Sequence, residues 1–221
     1  MANQPDPGAA PQTDAHLALS LRTPLRPDAF ALSEEEKIAG ISEHFRHIMD
    51  LLGLDLTDDS LAGTPRRVAK MFVHEWFRGL DPAQRPEVRL FDNRYEYNQM
   101  LVERDITLFS CCEHHFVPII GKAHVAYLPG QHVVGLSKLN RVVQYYARRP
   151  QVQERLTRQI AEELKQSLQT DDVAVLIEAD HLCVMSRGVN DTSSSTLTAE
   201  YGGRFGQDES LRREFLRLIG K

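Results

Sequence analysis

LVERDITLFSCCEHHFVPIIGKAHVAYLPG, residues 101–130, is the stretch on which the fold turns. Segments 101–110 and 115–128 are rich in β-branched and aromatic residues, and Pro129-Gly130 is a turn signal, so two consecutive strands are expected. Two helices are predicted after it, over roughly 137–148 from Ser137 and over 150–168 opening at Pro150. In the second, Val152, Leu156, Ile160, Leu164 and Leu168 recur at helical spacing. Strands near 172–184 and 192–201 follow, then a closing helix over 208–219. This order predicts an α+β fold built on an antiparallel sheet.

Upstream, Ser33 with Glu36 forms a capping-box pattern, and Ile38, Ile41, Phe45, Ile48, Met49 and Leu52 continue at helical spacing up to Gly53. A second helix is expected from Thr64 as cap and Pro65 as first residue, with Val68, Met71, Phe72 and Trp76 on one stripe, ending near Gly79. The Pro-rich residues 1–32 have little apolar periodicity and read as a mobile tail. The chain thus divides into a tail (1–32), a helical extension (33–97) and a main domain (98–221).

With 221 residues, 42% of them hydrophobic and 26% charged, the composition is that of an ordinary soluble protein. A net charge of -5 argues against broad binding to nucleic acid or to an anionic membrane. No apolar run is long enough to span a bilayer, and MANQPDPGAAPQTDAH lacks the features of a secretory signal. Three cysteines, two of them adjacent, make a poor disulfide framework, and a reducing, cytoplasmic setting is expected.

Chemistry concentrates in Ser110-Cys111-Cys112-Glu113-His114-His115 and in His181-Leu182-Cys183 on the later strand. Cys112 and His115 are spaced so that one turn can present both to a single ion, with Cys183 arriving from a neighbouring strand. Two thiolates and an imidazole suit Zn2+, and three protein ligands leave a coordination position open, as catalytic sites do. Cys111 is the rival fourth ligand, but on an extended backbone it points away from Cys112, which favours the open site. The plainer alternative is a set of buried structural cysteines and satisfied histidines. His114 and His181, beside the expected ion, are general acid–base candidates.

Lys138 and Arg141, at a loop-to-helix transition with Ser137, have the makings of an anion pocket, as do Arg187 and the Arg67/Lys70 pair. Each could equally be a solvated surface charge. Glu154 in Gln153-Glu154-Arg155 is ordinary helix-dipole compensation or an acceptor for the paired N–H donors of a guanine edge.

CEHHFVP with GKAHVAYLPG, GLSKLNRVVQYYARRPQVQERLTRQIA, HLCVMSRGV and the upstream GTPRRVAKMF occur in order across most of residues 63–205, and with them the sequence resembles the GTP cyclohydrolase I family. The resemblance implies a tunnelling fold (T-fold): a four-stranded antiparallel sheet with two packed helices, assembled into a toroidal homodecamer with active sites at subunit boundaries. It implies zinc on Cys112, His115 and Cys183, with His114, His181 and Ser137 catalytic. Glu154 helped by Gln153 would read guanine, while Ser137, Lys138, Arg141 and Arg187, with Arg67 and Lys70 as further contributors, would hold the ribose triphosphate. The implied reaction opens the guanine ring of GTP at carbon 8, releases formate and yields 7,8-dihydroneopterin triphosphate, the first step of folate or pterin synthesis. Rival readings are the nitrile reductase branch of the same fold, which lacks the zinc triad, and a zinc-stabilised scaffold.

Overall fold

The computed structural model describes residues 21–221. The chain runs α1 (Glu34–Leu51), α2 (Asp59–Ala62), α3 (Thr64–Lys70), β1 (Leu90–Asp92), β2 (Leu101–Cys112), β3 (Pro118–Tyr127) and β4 (His132–Val134). It continues with α4 (Leu136–Ala147), β5 (Pro150–Gln151), α5 (Gln153–Leu168), β6 (Val173–His181), α6 (Leu182–Met185), β7 (Thr196–Tyr201), α7 (Gly203–Gln207) and α8 (Glu209–Leu218).

The main sheet has the order β5-β2-β3-β6-β7. All its pairings are antiparallel except β2 with β5, where Cys111 and Cys112 face Pro150 and Gln151 in parallel. Four antiparallel strands therefore carry a two-residue fifth strand on one edge, and β1 pairs with β4 in a separate ribbon. This places Pro150 in a strand, while α5 begins at Gln153 rather than at Pro150 as expected. A proline suits the first residue of an edge strand as well as a helix start, so its position alone does not separate the two.

Alternation dictates the burial of β2, where Ile106, Leu108 and Cys112 enter the core and Thr107 and Phe109 face out. One extra residue lies between Glu103 and Ile106, where Asp105 has φ 59°. This bulge changes the parity of the strand. Before it the odd-numbered Leu101 packs against the main core, and after it the even-numbered residues do. The helices α4 and α5 cover that face with Leu139, Val142, Val143, Leu156, Ile160 and Leu164. On the opposite face, α7 and α8 cover one end only, packing Phe205, Phe215 and Ile219 on Ala126, Ala174 and Leu176. At Gly121 of β3 an added Cβ would collide with the Glu178 carbonyl of β6, so the central strands approach more closely than a side chain allows.

The capping box at Ser33 forms as read: Ser33 N–H donates to Glu36 Oε2 at 2.8 Å and Glu36 N–H to Ser33 Oγ at 3.3 Å. The second helix is capped at Gly63 rather than Thr64, and passes after Lys70 into a single π-helical stretch, Met71–Trp76. Gly79 N–H donates to Arg148 O at 2.9 Å, docking this extension on the end of α4. Of the expected tail, residues 1–20 lie outside the described residues. Residues 21–23, upstream of the expected start of order, are bonded to the main domain, with Gln159 Nε2 donating to Leu21 O at 2.6 Å and Arg149 Nη1 to Thr23 Oγ1 at 3.2 Å.

Candidate active site

The β2–β3 turn is closed by Cys112 N–H donating to Val117 O at 2.8 Å and Phe116 N–H donating to Cys112 O at 2.9 Å, with Phe116 in the left-handed region at φ 54°. Glu113 N–H donates to Gln151 O at 3.0 Å, fastening the turn to β5. His181, the last residue of β6, pairs with Ile119 at the start of β3, so the chain after it returns beside the turn. Cys183 lies there on the short helix α6, not on a strand as expected. The strand ends at His181, and one helical turn swings Cys183 towards Cys112.

Cys112, His115 and Cys183 each place a ligand atom within 4.8 Å of the others. Cys112 Sγ lies 3.9 Å from His115 Nδ1 and 3.8 Å from His114 Nδ1. Cys111 is 1% exposed and outside this group, and burial pushes its thiol up to about 12. Burial and the neighbouring Cys112 push the Cys183 thiol up to about 11, a cost that a bound cation reverses by favouring the thiolate.

His181 Nε2 lies 2.7 Å from Gln153 Oε1. The orientation of the Gln153 amide is set by three acceptors that share the two N–H donors of Nε2: Ile177 O at 3.1 Å, Thr196 O at 2.9 Å and Thr198 Oγ1 at 3.1 Å. Its Oε1 can only accept, so the proton sits on Nε2 of His181 and Nδ1 is left as an acceptor. Burial lowers the pKa of His181 against the opposing pull of Glu154 and Asp180. Gln153, expected to help read guanine, is 1% exposed, and both ends of its amide are engaged within the chain, one of them by His181. Glu154 beside it is exposed.

Arg187 reaches the cluster and donates from Nη1 to His115 Nε2 at 2.6 Å. Arg67 is tied to the α2–α3 turn, donating to Ser60 O at 2.9 Å and Thr64 Oγ1 at 3.0 Å, with Lys70 exposed one turn on. Ser137, Lys138 and Arg141 lie at the start of α4, far from the cluster. The helix runs alongside β2 in the same direction: Asn140 Nδ2 donates to Glu103 Oε1 at 2.9 Å, Gln144 to Thr107 O, and Ser110 Oγ to Arg149 O at 3.5 Å. Strand rise puts the Glu103 end of β2 about 30 Å from Cys112. Within one chain, Ser137, Lys138 and Arg141 therefore stand apart from the Cys-His-Cys group, whereas Arg187 touches it.

One set of residues at the site carried no expectation. Arg155 is buried, pairs with Glu113 and donates from Nε to Gln151 Oε1 at 3.0 Å. An arginine in the first turn of a helix opposes the helix dipole, and that was the available signal. A separate groove, between α1 and the Met71–Leu80 segment and lined by Ile41, Phe72 and Phe77, contains none of these groups.

A family model described as GTP cyclohydrolase I matches residues 41–220. GTP cyclohydrolase 1 of Flavobacterium johnsoniae is 57% identical over 206 residues, covering 93% of this chain and 92% of the relative. The protein of the same name from Salmonella gallinarum is 52% identical over 206 residues, 93% of each chain. A crystal structure of the archaeosine synthase QueF-Like in the apo form overlaps 48% of this chain and 94% of its own, at TM-score 0.39 and 17% identity.

Proposed function

Because the chain belongs to the GTP cyclohydrolase I family, we propose that it hydrolyses GTP at carbon 8 of guanine, with loss of formate and rearrangement to 7,8-dihydroneopterin triphosphate, at the centre formed by Cys112, His115 and Cys183. The observation that carries the reading is the convergence of these three donors with His114 and His181 beside them.

Two sulfurs and one imidazole fit zinc better than harder cations. Zinc held by Cys112, His115 and Cys183 would supply Lewis-acid chemistry that makes water nucleophilic at neutral pH. His181, its Nε2–H held by Gln153, turns Nδ1 outwards to take up and return a proton, and His114 on the ligand turn is the second proton carrier. Glu154, exposed on the turn of α5 that carries Gln153, accepts from the N–H groups of guanine.

Ser137, Lys138 and Arg141 belong to the triphosphate and ribose end, with Ser137 assisting the rearrangement and Arg187, Arg67 and Lys70 adding positive charge. The separation of Ser137, Lys138 and Arg141 from Cys112 within one chain supports their supply by a second copy, in a homo-oligomer with shared sites and, by family likeness, a decamer. Four antiparallel strands with α4 and α5 on one face support the T-fold as the unit, with the helical extension before it. Three unpaired cysteines, two of them in the proposed ligand set, support a reducing, cytoplasmic location, and family likeness supports a role in pterin or folate synthesis. No helix among the described residues is long and apolar enough to cross a membrane.

The test is to incubate metal-loaded protein with GTP, with and without a chelator, and follow formate and oxidised-pterin fluorescence. Both products, lost on chelation, are expected. Neither product from protein that retains zinc overturns the reading.

A further inference from the structure

Arg155 carries a full charge where helix position and burial both disfavour one. It lies in the first turn of α5, at the positive end of the helix dipole, and is 5% exposed. A guanidinium survives there only when its donors are met. Its Nη2 is paired with Glu113 Oε2, and its Nε donates to Gln151 Oε1 at 3.0 Å.

Both partners lead to the ligand turn. Glu113 is the residue between Cys112 and His114, and its N–H donates to the Gln151 carbonyl. Its second oxygen, Oε1, lies 4.0 Å from His114 Nε2. On the same turn of α5, Gln153 holds His181, two residues before Cys183. One helical turn thus reaches both halves of the centre: Arg155 grips the β2–β3 turn, Gln153 grips the end of β6, and Glu154 stands exposed between them.

We propose that Arg155, acting through Glu113, is a positioning residue that sets the 112–115 turn so that Cys112 and His115 are arranged for the ion before it binds. It also registers that turn against the helix bearing Glu154. The inference rests on the reading of Cys112, His115 and Cys183 as a metal centre. Its physical basis is that a flexible four-residue turn must lose conformational freedom to ligate, and a paired, desolvated guanidinium meets that cost during folding. Arg155 suits the task better than lysine because its planar fork engages Glu113 and Gln151 at once.

Cobalt(II) is the probe. Its affinity for the assembled protein is measured by chelator competition, its visible d–d and thiolate charge-transfer bands are recorded, and the thermal midpoint of metal-free protein is followed alongside. Glu113→Ala is expected to weaken cobalt binding about 10–100-fold and to shift the visible bands, the usual consequence of losing a group behind a ligand. Glu113→Gln keeps an acceptor for Arg155 and should recover part of the affinity. Arg155→Lys should resemble Glu113→Ala; if it does not fold, the Glu113 variants decide, because that side chain is partly exposed. A folded Glu113→Ala with wild-type affinity and spectrum would overturn the proposal and leave the pair a structural tie. A wild type that binds no cobalt would overturn the metal reading itself, and the positioning role with it.

Discussion

The two ends of the β2–β3 hairpin are built on opposite principles. At the Cys112 end buried polar side chains gather beside the core: Ser110, Gln151, Gln153, Arg155, Thr157 and Gln159. They are bound to one another, to backbone and to the turn, as when Gln151 Nε2 donates to Gln159 Oε1 at 2.7 Å and Thr157 Oγ1 to Gln153 O at 2.8 Å. At the Tyr127 end the cover is apolar, with Met100, Leu128, Phe205, Phe215 and Ile219 closing over the sheet. Directional bonds specify a geometry, whereas apolar burial contributes stability without fixing side-chain orientation to tenths of an ångström. The chain places its specificity at the ligand end and much of its non-directional stabilisation at the other.

The sharpest separation of the two ends is expected from Cys183→Ser. Removing a ligand should cost more than the hundredfold typical of a supporting residue and abolish formate and pterin formation, while the thermal midpoint of the metal-free protein stays close to wild type. An active variant would show that the ligand set is wrong. Phe215→Ala is the converse: a fully buried ring lost from the apolar end should cost about 3–5 kcal/mol in denaturant unfolding. The cobalt spectrum of the protein that remains folded should be unchanged, and a shifted spectrum would show that the two ends are coupled.

The smallest effect should come from His124, which lies between the ends. It accepts at Nδ1 from Asp105 N–H at 3.2 Å on the bulge, and Asp105, Lys122, Glu178 and Lys221 are the charges around it. Burial lowers its pKa from 6.5, so the unfolded chain binds more protons than the native one below that value. Its contribution to stability is therefore present above pH 6.5 and declines as pH falls through 6.5. His124→Gln should flatten that part of the stability–pH curve relative to wild type, and an unaltered slope would assign the dependence to other groups.

Much of this was legible in the residues. Local signals are short-range chemistry, so the Ser33 capping box and the strands around residues 101–128 appear where propensity puts them, the last within the usual uncertainty of element ends. Pro150 and Thr64 misled by a few residues because proline and threonine satisfy more than one local arrangement. The hold on residues 21–23 left no periodic trace, since it is made by single bonds from Arg149 and Gln159 across more than a hundred residues of chain.

What the sequence determined by itself was the set of chemical groups, the α+β order and the family, because these depend on residue types and short spacings. Tertiary structure alone decided how those groups are used. The bulge at Asp105 sets the parity that turns Cys112, and not Cys111, into the group with His115 and Cys183. The close of β6 at His181 puts Cys183 on a helical turn beside it. Gln153 and Arg155 are committed to bonds with segments 28 and 42 residues away. Such pairings join parts of the chain that only the folded sheet brings together, and no local pattern encodes which partner a buried polar group will find.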